Sequence, residues 1–149
     1  MKKLILFAII LLILAPVMAM GAGTATYTIT QPDQKTAIVA IAVTDDTAGT
    51  TLSLTGLEGY FLCSMETNPG TTAPTDDYDI VINTAGGADL LGGAGANRDT
   101  ANTEIAYPTV DSTSGQKGCV PINSTLSFAL SGNSVSSATV AVKLFLMRP

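Results

Sequence analysis

Thr24–Thr30 reads TATYTIT and residues 36–43 read TAIVAIAV, two stretches whose patterns decide the fold. The first places its apolar side chains on one face and its threonines on the other, an alternation typical of a half-buried strand. The second is apolar on both faces, which is typical of an interior strand of a sheet. The QPDQ sequence at residues 31–34 between them is typical of a turn. The two segments therefore predict a β-sheet that begins at residue 24.

The rest of the chain continues in the same manner. Short alternating or apolar segments are separated by turn sequences rich in Gly, Pro, Asn and Asp, and no helical periodicity is found. These segments are residues 52–54, 60–65, 78–83, 104–110, 120–130 and 140–146. Eight or nine strands with regular turns predict an all-β fold, a single antiparallel β-sandwich or jelly-roll-like domain over residues 23–149.

The first 22 residues have the layout of a secretory signal peptide. Lys2 and Lys3 precede an uncharged apolar run, LILFAIILLIL, which a small-residue segment follows. Cleavage after Ala19 or Ala22 is expected, so the mature protein would be secreted, extracellular or periplasmic. The alternative is an uncleaved membrane anchor, since Leu4–Gly23 carries no charge and could just span a bilayer. The membrane is a partner only in that case.

Two cysteines, Cys63 and Cys119, are present, and both lie in the mature body. In an oxidising compartment such a pair is more often bridged than free, which predicts a disulfide. Two separately buried thiols are the alternative.

Composition excludes several classes of function. Without Lys2 and Lys3, five basic residues stand against twelve acidic ones, a formal charge of −7, and such a surface repels nucleic acid. Because the sequence has no histidine, it contains no Ser-His-Asp or Cys-His arrangement. We expect no enzymatic activity, no cofactor and no nucleic-acid partner.

A series of motifs after Gly59 follows a distinctive order. They are TNPG at residues 67–70, APTDDYDI at 73–80, Gly86, DLL at 89–91, GGAGANRDT at 92–100 and NTE at 102–104. In this order they resemble a family of small β proteins encoded among the structural genes of tailed phages and prophages. The resemblance implies a virion-associated or decorating domain without enzymatic activity. The leader and the cysteine pair depart from the family, because tailed virions assemble in the reducing cytoplasm. The domain therefore also fits recruitment to a cell surface.

One acidic cluster is a weak candidate for Ca²⁺ binding. Asp76, Asp77 and Asp79 could supply oxygen ligands, although short acidic loops are more often solvated turns, and the same carboxylates are the weakest hypothesis for a hydrolase. The Gly-rich run at residues 86–95 contains one imperfect copy of a calcium-roll repeat, which cannot stack, so a flexible hairpin and loop is expected there.

The sequence is most consistent with a structural or surface-assembly subunit that self-associates or joins a larger protein assembly. Thr24, Tyr27 and Ile29 mark a possible assembly strand at the new N-terminus, which could pair within its own sheet or add to a neighbour's edge. The alternative function is an extracellular glycan- or surface-ligand-binding module that uses loops 70–77, 92–102 and 111–118.

Overall fold

The computed structural model describes residues 23–149, which fold into two antiparallel β-sheets packed on one another with a small two-stranded ribbon beside them. The predicted signal peptide, residues 1–22, lies outside the described residues, as do its cleavage sites after Ala19 and Ala22. Within residues 23–149 no helix is found that could cross a membrane. The strands of this range are β1 (Thr24–Thr30), β2 (Thr36–Asp45), β3 (Thr50–Leu54), β4 (Phe61–Pro69), β5 (Asp79–Thr84), β6 (Glu104–Ala106), β7 (Thr109–Asp111), β8 (Gln116–Lys117), β9 (Val120–Pro121), β10 (Leu126–Ser131) and β11 (Ala138–Met147).

The larger sheet, sheet A, has the strand order β1-β2-β11-β4-β6, and β9 pairs with β4 next to β6. The smaller sheet, sheet B, has the order β3-β10-β5, and β7 pairs with β8 in the separate ribbon. The apolar segment at residues 36–43 lies in β2, between β1 and β11, so its prediction as an interior strand is confirmed. The predicted all-β sandwich is likewise confirmed.

The core lies between the inward faces of the two sheets. The long strands β2 and β11 bury every second side chain, as the alternation in the sequence requires. The alternation at Leu126, Phe128 and Leu130 points these three side chains inward from sheet B, each at most 2 % exposed. Among the largest fully buried side chains are Tyr78, Phe128, Ile41, Leu54, Leu62, Met65, Ile80 and Ile82.

Two of the predicted strands are divided in the structure. The segment at residues 104–110 separates at Pro108 into β6 and β7, because proline has no N–H to donate to a ladder. The segment at residues 120–130 separates into β9, which stays with sheet A, and β10, which belongs to sheet B. The predicted loop at residues 111–118 contains the short strand β8.

The Gly-rich segment is a structural cover and not a free loop. Its backbone bonds to the outer edge of β5 at several points, among them Leu90 N to Ile82 O and Ile80 N to Gly95 O, both 2.8 Å. A Cβ atom at Gly95 would lie 2.1 Å from Ile80 O, so only glycine allows this close approach. The segment thereby closes an edge of sheet B that could otherwise pair with another chain.

A buried polar network ties together one end of the sandwich. The Asp45 carboxylate, fully buried at the end of β2, accepts hydrogen bonds from the Thr50 hydroxyl and from Asn133 Nδ2, the latter at 2.8 Å. The Asn133 side-chain oxygen in turn accepts from Thr75 N and Val135 N. One amide side chain therefore connects β2 with two loops that are distant in sequence.

Candidate functional site: the outer face of sheet A

Sheet A has an outer face that no other part of residues 23–149 covers. Along β11 the side chains between the buried positions point to this face, and along β2 they do so as well. Because β2 is apolar on both sides, burying one side in the core leaves Ile38, Ala40 and Ala42 on the other. The most exposed large apolar residues of the face are Ile105 and Met147, at 54 % and 51 %.

Strand register arranges the outer face in rows that run across the strands. One end is small and polar, with Ala42 and Ala141 side by side between threonine and asparagine. The middle row is Thr28, Ala40, Lys143, Glu66 and Ile105, from β1 to β6. The other end is large and apolar and contains Ile38, Phe145, Met147 and Phe61.

The opposite surface of the sandwich provides an internal comparison. The outward side chains of sheet B are mostly small and polar, as a solvated antiparallel sheet requires. They are Thr51, Ser53, Asp79, Val81, Asn83, Ser127, Ala129 and Ser131. The two outer surfaces of one domain therefore differ in chemistry, and the apolar one belongs to sheet A. Exposed apolar patches rimmed by polar side chains mark interaction sites.

Charge on the outer face is low and balanced. Among the side chains that its strands point outward, the charged ones are Lys143 and Glu66, whose Nζ and Oε1 atoms lie 2.8 Å apart. Residues 23–149 as a whole are acidic, with twelve acidic and five basic side chains. Charged residues are sparse at the cores of protein–protein interfaces, and this face carries a single outward ion pair.

Two depressions shape the outer face. One, of about 220 Å³, lies over its small half and includes Thr26, Ala40, Ala42, Ala141 and Lys143 in its walls. The other, of about 240 Å³, lies at the apolar end and is lined by Phe61, Cys63, Cys119, Met147, Arg148 and Pro149. The surface thus offers both hollows and projecting apolar side chains.

The predicted disulfide is present at the rim of this face. Cys63 and Cys119 are bridged, with their Cα atoms 4.1 Å apart, and residues 23–149 hold no free cysteine. The bridge lies in register with the β4–β9 pairing, one step beyond Leu62 and Val120. Cys63 is also the extra residue of a β-bulge in β4, opposite β11. The bridge is consistent with an oxidising compartment.

The predicted assembly strand is part of the chain's own sheet. β1 pairs with β2 along seven residues, from Thr24 opposite Thr44 to Thr30 opposite Ile38. Tyr27 packs against the core and its hydroxyl lies 3.1 Å from Thr55 Oγ1, whereas Ile29 is 38 % exposed. Self-pairing therefore occupies one edge of β1 and leaves the other at the end of sheet A.

The candidate calcium ligands are not brought together. The Asp76 carboxylate accepts a hydrogen bond from Thr100 N at 3.4 Å, and that of Asp79 accepts one from Asn97 N at 2.9 Å. Asp77 adopts a positive φ of 63° in the turn between them. Among residues 23–149 no group of three or more acidic, cysteine or histidine side chains is placed to hold a metal ion. Two of these carboxylates thus hold the loop at residues 97–100 in place.

The loops of the alternative ligand-binding hypothesis are only partly united. Loops 70–77 and 92–102 meet where Thr100 Oγ1 donates to Pro74 O at 2.9 Å, whereas residues 111–118 form the tip of the separate β7–β8 ribbon. Tyr60 and Tyr78 are buried in the core, and burial raises the pKa of the Tyr78 phenol. Of the tyrosines near the loops, Tyr107 is the exposed one, at 53 %.

The outer face of sheet A was not identified as a site from the sequence. The signal was present, because the last strand carries Lys143 and Phe145 between its core positions and β2 is apolar throughout. The sequence does not show which side of each strand the second sheet covers.

In comparisons with known proteins, no family model, no curated protein and no solved structure matches the chain. The resemblance to phage structural proteins therefore stays a prediction from the sequence.

Proposed function

We propose that this protein is a non-enzymatic structural subunit that works outside the cytoplasm and assembles through the outer face of sheet A. The observation that carries the proposal is the contrast between the two outer surfaces. A domain that only needed to be soluble would have polar side chains on both, as sheet B has. Sheet A instead exposes Ile105 and Met147 and leaves Ile38 and Phe145 half-buried on its outer side.

The location of this assembly is inferred from the leader and the disulfide. The signal-like residues 1–22 would direct the chain out of the cytoplasm, with cleavage after Ala19 or Ala22. The Cys63–Cys119 bridge supports an oxidising environment. With its resemblance to phage structural proteins, the domain fits a decorating or surface-coating subunit on a virion-like or cellular surface.

A pair of matched substitutions tests the proposal. We expect Ile105→Arg to abolish or strongly weaken self-association, because it places a charge within the apolar outer face. Val110→Arg is the control, since Val110 is also an exposed apolar residue (46 %) but lies in the β7–β8 ribbon, outside sheet A. Sedimentation velocity of protein secreted from the full chain, over a range of concentrations, measures both effects.

The wild type and the Val110→Arg variant should associate, and the Ile105→Arg variant should remain monomeric with an unchanged circular dichroism spectrum. A wild type that stays monomeric at every concentration and coats no surface in electron micrographs would refute the proposal.

A further inference from the structure

We infer that two copies of this chain dock face to face through the outer face of sheet A, about a two-fold axis that runs parallel to the strands between β11 and β4. The inference rests on the proposed function and specifies its partner and geometry. The partner is a second copy because the outer face is complementary to itself in charge and in shape.

A two-fold axis in this position exchanges the strands on its two sides. It places β11 over β4 of the partner subunit and β2 over the partner's β6 and β9, while each row of the face stays opposite the same row. Such a contact is isologous, so every pair of facing residues occurs twice. Two twisted sheets can pack in this aligned manner, as they do inside β-sandwiches.

Charge complementarity favours this axis. Lys143 on β11 and Glu66 on β4 are neighbours in the middle row, one on each side of the axis. The rotation therefore sets Lys143 over Glu66 of the partner subunit, and Glu66 over the partner's Lys143. The four charges then alternate in sign around the axis. Opposite charges placed in this way fix the register of an interface.

Shape complementarity points to the same arrangement. Ile105, on β6, is the most exposed large apolar residue of the outer face. In the middle row the axis places Ile105 opposite Ala40 of the partner subunit, on β2, and Ala40 lines the 220 Å³ depression. The side chain of one copy therefore enters the hollow of the other. At the apolar end, Met147 lies over Phe61 of the partner subunit.

The overlapping area is that of a weak, reversible dimer. β11 and the nine-residue β4 of the partner subunit overlap along about 31 Å, whereas β6 and β9 together present five residues, about 17 Å, to the partner's β2. At a strand spacing of about 4.8 Å the contact covers about 460 Å² of each partner, and the total of about 900 Å² lies in the size class of transient interfaces.

A two-fold axis perpendicular to the strands, along the middle row, is disfavoured by the same charges. It would place Lys143 over the partner's Lys143 and Glu66 over the partner's Glu66, and like charges in contact oppose association. It would also set Ile105 against the partner's Ile105, so the hollow around Ala40 would receive no projecting side chain.

Crosslinking between two different variants tests the axis. Ala40→Cys and Ile105→Cys proteins are secreted from the full chain, mixed and treated with a bismaleimide that spans about 8 Å, because facing sheets lie about 10 Å apart. We expect a covalent heterodimer from the mixture and none from either variant alone, since Ala40 lies about 17 Å from the partner's Ala40 in this arrangement. Thr36→Cys with Pro121→Cys is a second pair that the axis brings together. Ala40→Cys with Val110→Cys is the negative control.

The outcomes separate this inference from the proposed function. Homodimeric crosslinks within one variant, or no crosslinks in either pair although sedimentation shows a dimer, would overturn the axis and leave the assembly function standing. A wild type that sediments as a monomer at every concentration would overturn the docking of two copies, and the proposed function would then stand only if the protein coats a surface in electron micrographs.

Discussion

Removal of the Cys63–Cys119 disulfide is expected to lower the free energy of unfolding by about 4 kcal/mol. The bridge joins residues 56 positions apart, so without it the unfolded chain gains the entropy of a large open loop. Guanidinium unfolding of the wild type and of the Cys63→Ser/Cys119→Ser double variant, both without reductant, measures the difference. Reductant should destabilise the wild type by a similar amount and leave the double variant unchanged. Equal midpoints for the two proteins would show that the bridge does not restrict the unfolded state.

The structure gives the same bridge a local role. β9 pairs with β4 through only two residue pairs, and the β7–β8 ribbon precedes it without joining either sheet. The disulfide therefore holds the chain that follows the β7–β8 ribbon against the edge of sheet A, next to the apolar end of the outer face.

Replacement of Asn133 by alanine is the second large effect that we expect, a loss of about 3 kcal/mol of stability. The substitution removes one donor from the buried Asp45 carboxylate and the acceptor of Thr75 N and Val135 N. The lost donor to Asp45 is the costly one, because that carboxylate is fully buried and water cannot replace the donor. Thermal or chemical unfolding measures the loss.

Asn102 provides the matched control for this experiment. Its Nδ2 atom also donates to an aspartate, Asp99 Oδ2, at 2.7 Å, but on the exposed surface. We expect Asn102→Ala to change stability by no more than about 0.5 kcal/mol. Similar losses for the two variants would mean that burial is not what makes the Asp45 network important.

Much of the fold could be predicted from the sequence because side-chain alternation reports directly on strands. TATYTIT and TAIVAIAV form β1 and β2, and Leu126, Phe128 and Leu130 point into the core. The contacts that depend on the backbone or on distant residues could not be predicted. The Gly-rich segment bonds to β5 through backbone atoms, and the Asn133–Asp45 bond joins residues 88 positions apart.

The candidate site was predicted only in part. The sequence indicates a disulfide and a strand at residue 24, and the structure contains both. The sequence left open whether the strand at residue 24 pairs within its own sheet or with a neighbour's edge, and in the structure β1 pairs with β2. The outward positions of β2 and β11 look like core residues in the sequence, because only the three-dimensional packing shows which face sheet B covers.

Hydroxyl-radical footprinting tests most directly the claim that the outer face of sheet A is the assembly surface. Met147 and Ile105 are exposed on that face, and Val110 is similarly exposed away from it. When the concentration of the protein is raised until it associates, we expect the oxidation of Met147 and Ile105 to fall several-fold and that of Val110 to stay constant. Unchanged oxidation of Met147 and Ile105 in a protein that has associated would contradict the account.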